Sequence, residues 1–146
     1  MKKNSKNHLG FTMIELLVVV AILGFLAAVV FRNIAPAQTA GNVKIAADDI
    51  GEIDKGANRY ARGRIDQYTN ASIEILSDDE YISQEFGDGT SRNPWGGDYT
   101  VEVGSEVYKY VITVTNVPDQ ACEQLADMYY DAGATCATGV VTINRG

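Results

Sequence analysis

The chain has little of what most catalytic sites are built from. Its only histidine is His8, its only cysteines are Cys122 and Cys136, and no Cys, His, Asp or Glu recur at a metal-ligand spacing. An imidazole general base could come from residue 8 alone. Nor does the sequence contain a glycine-rich phosphate loop, an internal repeat or a low-complexity segment. Cations are scarce as well: 12 Lys and Arg face 19 Asp and Glu, for a formal net charge of −7. Three of the cations, Lys2, Lys3 and Lys6, crowd the first six positions, so the chain without them carries −10. Such an acidic product is a poor ligand for DNA, whose binding rests on neutralising phosphates, and no direct nucleic-acid binding is expected. With 146 residues there is room for one membrane segment and one domain of ordinary size.

One long apolar run stands out. Residues 16–31 contain no polar side chain, and residues 11–31 are interrupted only by Thr12 and Glu15. A helix needs about 20 residues to span a bilayer, so this run is long enough. Lys2, Lys3 and Lys6 lie on one side of it with no acidic residue among them, which leaves that end in the cytoplasm and sends the rest of the chain across. A secretory signal has a shorter apolar core, of about 7 to 15 residues. A plain membrane anchor accounts for the length but not for Glu15, whose carboxylate costs roughly 2.5 to 3.5 kcal/mol near the centre of a membrane helix and less near its end. No Lys or Arg in the following turns can pair with Glu15. The nearest cation would be a new amino terminus, made by cutting the chain just before Phe11.

The basic leader, the string Gly10-Phe11-Thr12-Met13-Ile14-Glu15 and the apolar helix after it resemble the signal of type IV pilin precursors. The resemblance implies cleavage by a prepilin peptidase after Gly10 and N-methylation of Phe11. It gives Glu15 the task of neutralising the terminal ammonium of a neighbouring Phe11 as helices pack into a filament. An α-amino group is mostly protonated at neutral pH, so the pairing is chemically sound. The implied partners are copies of the chain itself, the prepilin peptidase, the pilus assembly platform with its secretin, and the inner membrane before assembly. His8 would leave with the leader, so no catalytic residue, metal or cofactor is expected. The precursor is expected in the bacterial inner membrane and the product in an extracellular pilus.

Beyond the apolar run, Pro36 removes a backbone donor and should kink or loosen the helix. The helical pattern then resumes. Val43, Ala46, Ile50, Ile53, Ala57 and Tyr60 alternate spacings of three and four, drawing an apolar stripe with Asp48, Asp49, Glu52 and Lys55 on the other faces. Lys55, Arg59 and Arg62 follow the acidic stretch 48–54; late cations suit the negative end of a helix, and the alternative reading is that the opposed patches dock neighbouring subunits. Residues 63–93 read as a connection without a sheet, and Ser77-Asp78-Asp79-Glu80 as a capping box opening a short helix through Ile82, with another helix near 71–76.

The string Asn93-Pro94-Trp95-Gly96-Gly97 suits tight turns that bury the only tryptophan where a loop enters a sheet. It resembles the same turn in type IVb pilins of the PilS kind and, more loosely, in major pseudopilins of type II secretion. Tyr99, Val101 and Val103, then Tyr108, Tyr110, Ile112 and Val114, alternate with polar residues across a short turn at Gly104 and Ser105, a β-hairpin pattern. Pro118 and Asp119 open a helix with Cys122, Leu125, Ala126 and Tyr129 on one face, ended by Gly133, and residues 140–143 form a last strand. In an exported domain two cysteines favour a disulfide, here between Cys122 and Cys136.

Together these features predict an α+β fold. A long N-terminal helix has a protruding hydrophobic half and an amphipathic half packed on a small antiparallel sheet, and a disulfide closes the C-terminal region. The segments are a leader (1–10), a membrane and assembly helix (11–35), the amphipathic half (36–63) and a globular head (64–146). The leader and Phe11 resemble type IVa pilins and the head type IVb. A type II secretion pseudopilin is the alternative; pseudopilins typically carry an aspartate-rich calcium loop where Cys122 and Cys136 stand here. A membrane-anchored domain that never polymerises is the third class.

Overall fold

The computed structural model describes residues 12–87 and 92–146, and of 31–37 the backbone alone. The elements run α1 (Met13–Ala61), α2 (Ile73–Asp78), a 3-10 turn (Gln84–Phe86), β1 (Tyr99–Val103), β2 (Tyr110–Val114), α3 (Asp119–Met128), a second 3-10 turn (Tyr130–Ala132), β3 (Thr135–Ala137) and β4 (Val140–Arg145). Contacts divide the chain into two units, with the division between Gln38 and Thr39. Helix α1 keeps its helical assignment through Pro36, where a missing donor was expected to loosen it.

In the first unit, residues 16–30 of α1 are apolar on every face. Met13–Val30 has a mean hydropathy of 2.9 and none of it is buried. A helix apolar all round is stable when lipid or other helices surround it, and this one is long and apolar enough to cross a membrane.

In the second unit the sheet has the order β1-β2-β4-β3, with every neighbouring pair antiparallel. Alternation sends Tyr99, Val101, Tyr110, Ile112, Val114, Val141 and Ile143 to one face, where all are buried. The stripe on α1 joins them: Val43, Ala46, Ile50, Ile53, Ala57 and Tyr60 are each at most 5% exposed and belong to the same core. Ala121, Cys122 and Leu125 of α3 complete it. On the opposite face of the sheet Thr100, Thr113, Thr142 and Thr135 stand in one register row across all four strands.

Four local readings need correction. The string Ser77-Asp78-Asp79-Glu80 ends a helix instead of opening one. Ser72 caps α2, its Oγ accepting from Ile75 N at 3.3 Å, while Ser77 is buried and Glu80 takes a positive φ of 59°. The Trp95 indole is only half-buried, and the group that organises its loop is Asn93, 3% exposed. Asn93 Nδ2 donates to Thr115 O (2.6 Å), and its Oδ1 accepts from Trp95 N (3.0 Å) and Gly97 N (3.1 Å). Gly97 is glycine because a Cβ there would overlap Thr115 O. The hairpin connection is longer than a two-residue turn: it closes with Gly104 N donating to Lys109 O at 2.8 Å, so β2 begins at Tyr110 and Tyr108 is left half-exposed. Finally, α3 stops at Met128, and a 3-10 turn carries the chain on to Gly133, whose φ of 61° favours glycine.

Candidate functional site

Three places bear on function. The first is the start of α1. Gly10 and Phe11 lie outside the described residues. Glu15 is described, and it closes a capping box with Thr12. Its Oε2 accepts from Thr12 N and Thr12 Oγ1, both at 3.1 Å, while Glu15 N donates to Thr12 Oγ1 at 3.4 Å. Two backbone donors that a helix start leaves without partners are thereby satisfied reciprocally. The Thr-x-x-Glu spacing of Thr12 and Glu15 carries this signal in the sequence. The box also tells how a carboxylate is held in an apolar segment without a cation: it sits at the helix end, inside local hydrogen bonds.

The second place is the seam between α1 and the sheet. Tyr99 Oη donates to Asp49 Oδ2 at 2.8 Å, and Tyr110 Oη to Asp54 Oδ1 at 2.6 Å. Asp54 Oδ1 also lies 3.0 Å from Arg145 Nε of β4, and Tyr129 Oη donates to Ala47 O at 3.1 Å. In sequence Asp49 and Asp54 look like solvated helix charges. They flank the buried stripe, which places them where inward tyrosines arrive. Burial raises the Asp49 carboxyl above its usual range against the opposing effect of the Tyr99 hydrogen bond. Burial first, then the bond to the carboxylate, pushes the Tyr99 and Tyr110 phenols far above 10.0.

This seam makes a pH prediction. A group whose folded pKa is raised gives stability that is complete below the unfolded pKa and lost above it. The tyrosines ionise at about 10 when unfolded, so stability should hold to about that pH and fall progressively as pH rises further. Denaturant midpoints of the fragment Thr39–Gly146 between pH 7 and 11.5 read this directly. Tyr99→Phe and Tyr110→Phe together should flatten the alkaline limb, and phenolate absorbance from these two rings should rise only with unfolding. Absorbance rising before the fold is lost would contradict the seam.

The third place is the C-terminal region. Cys122 and Cys136 are joined in a disulfide, their Cα atoms 5.6 Å apart and 14 positions apart in sequence. The bond ties α3 to β3, the outer strand beside β4. Among the described residues no three His, Cys, Asp or Glu side chains gather to hold a metal ion.

Comparison with known families assigns both halves of the chain. Residues 5–31 match the family model of the prokaryotic N-terminal methylation motif, and residues 37–146 match that of the PilS N-terminal domain. A search of curated proteins finds no match.

Proposed function

The chain belongs to the PilS-like type IV pilin precursors, and from that membership we propose that it is the structural subunit of a surface pilus. Membership points to a structural protein. In this reading the precursor sits in the inner membrane, is cut after Gly10 by a prepilin peptidase and is methylated on Phe11. Copies of the helix then pack through residues 11–35 into a filament built by an assembly platform and passed through a secretin. Residues 36–63 and 64–146 supply the amphipathic half and the head.

The observation that carries the proposal is the pairing, on one chain, of a methylation motif over residues 5–31 with a wholly exposed apolar helix, Met13–Val30. Outside lipid that surface has to be covered, and stacking identical helices covers it without a second protein. Two features support a non-catalytic role. The single imidazole, His8, lies in the segment removed by cleavage. Both thiols are tied up in the Cys122–Cys136 bond. That bond, standing where a pseudopilin would hold calcium, favours a pilus over a type II pseudopilus. Immunogold labelling with an antibody against the head tests the choice: decorated surface fibres support the pilus, and cleaved protein confined to the inner membrane supports the pseudopilin.

A further inference from the structure

Two rows of charge in the second unit are opposite in sign, close in length and each followed by exposed apolar side chains. At the end of α1, Lys55 and Arg59, with Arg62 just past the last helical residue, stand at i, i+4 and i+7, exposed on a face turned away from the buried Ile53, Ala57 and Tyr60. On α3, Asp119, Glu123 and Asp127 stand at i, i+4 and i+8, exposed and turned away from the buried Ala121, Cys122 and Leu125. At 1.5 Å per residue the rows measure about 10 and about 12 Å. Just past the basic row lies Ile65, 100% exposed, and just past the acidic row lie Met128 and Tyr130, 58% and 77% exposed.

Resting on the pilus reading, we propose that the acidic row of α3 in one copy docks along the basic row of α1 in the next. Laid in the same direction, the rows pair Asp119 with Lys55, Glu123 with Arg59 and Asp127 with Arg62, and bring Ile65 against Met128 and Tyr130. An open groove of about 510 Å³ lies over the basic row. The two carboxylates that share this groove are already engaged. Asp54 is held by Tyr110 and Arg145, and Glu52 Oε1 accepts from Ser83 N at 2.9 Å. The groove thus carries three cations against two carboxylates that already have partners within the chain. Arg59 gives one donor to Tyr81 O and keeps others for a partner. Among the described residues none of the six charged side chains is in an ion pair within the chain.

Helix stability does not account for the acidic row. Asp119 suits the N-terminus of α3, but Asp127 sits in the last turn, where the helix dipole disfavours an anion and where no basic residue stands. A cation from outside relieves that placement. The contact is also of the right symmetry. It joins two different patches on identical chains, and such a heterologous contact builds an open helical array wherever its rotation does not close a ring. A self-complementary patch would stop at a dimer.

The test is charge reversal in the full-length chain, in the cell that makes the fibres. Arg59→Glu with Arg62→Glu should lower surface fibre yield by on the order of tenfold or more, as should Glu123→Arg with Asp127→Arg, because like charges then face each other. Combining all four reversals should restore fibres to within about threefold of wild type. Misfolding of a variant is separated by a second measurement. In otherwise wild-type fibres, Arg59→Cys with Glu123→Cys should give disulfide-linked multimers on a non-reducing gel, and Arg59→Cys with Thr113→Cys should give none. Where the wild-type chain forms fibres, normal assembly of both reversed pairs, or no cross-link from the first cysteine pair, overturns the contact and leaves the pilus reading standing. A wild-type chain absent from all fibres overturns both.

Discussion

In cells producing Glu15→Gln, the precursor is expected to accumulate in the membrane with its helix cap intact while surface fibres fall by about two orders of magnitude or more. Glutamine serves as well as glutamate at the third position of a capping box. The bonds from Thr12 N and Thr12 Oγ1 to residue 15 therefore survive, and only the charge is lost. If Glu15 matters as a helix cap, Glu15→Gln should assemble and Thr12→Ala should not. If it matters as the anion that meets the Phe11 ammonium of the next subunit, the pattern reverses. An unpaired ammonium within packed apolar helices carries a penalty of several kcal/mol, far more than a cap contributes. Counting fibres by electron microscopy for the two variants separates these roles. Normal piliation of Glu15→Gln would remove the charge-pairing role.

The second large effect concerns the head alone. Removing the disulfide with Cys122→Ser and Cys136→Ser should lower the unfolding free energy of the fragment Thr39–Gly146 by about 3 kcal/mol, the value for a closed loop of about 15 residues. A small domain is stable by roughly 5 to 15 kcal/mol, so this is a large fraction of the total. The loss should concentrate in one place. Strand β3 has three residues and pairs only with β4, so without the bond it rests on β4 pairing and on contacts with α3. Hydrogen exchange should then show residues 134–139 opening well before the pairing of β1 with β2. Urea unfolding with and without reductant measures the total, and an unchanged midpoint would show that the bond holds nothing that packing does not.

The parts of this fold that were legible in the sequence are those whose pattern repeats over a sustained run. Six α1 residues from Val43 to Tyr60 repeat at helical spacing over five turns, and every one is buried. The alternation of Tyr99 with Val101, and of Tyr110 with Ile112 and Val114, gave β1 and β2 for the same reason. What escaped was short or depended on tertiary placement. Strand β3, Thr-Cys-Ala, has no pattern of its own and exists because β4 offers it an edge. Ser72 and Ser77 both carry helix-start chemistry five residues apart, and only the packing of Ser77 into the interior decides between them. Trp95 drew attention by size, yet Asn93, with three hydrogen bonds and almost no exposure, holds the loop. At the candidate site, Glu15 was singled out by its cost in an apolar run. Its intrachain partner Thr12, whose amide and hydroxyl both donate to the carboxylate, is marked only by a short Thr-x-x-Glu spacing at the edge of that run.

The central claim is that the chain is processed before Phe11 and built into a surface fibre. Mass spectrometry of the protein in sheared surface fibres from the native cell tests it most directly. The account predicts an intact mass for a chain beginning at N-methylated Phe11, lighter by two hydrogens for the Cys122–Cys136 bond. A protein found in the envelope with residues 1–10 still attached, and absent from the fibres, would contradict it.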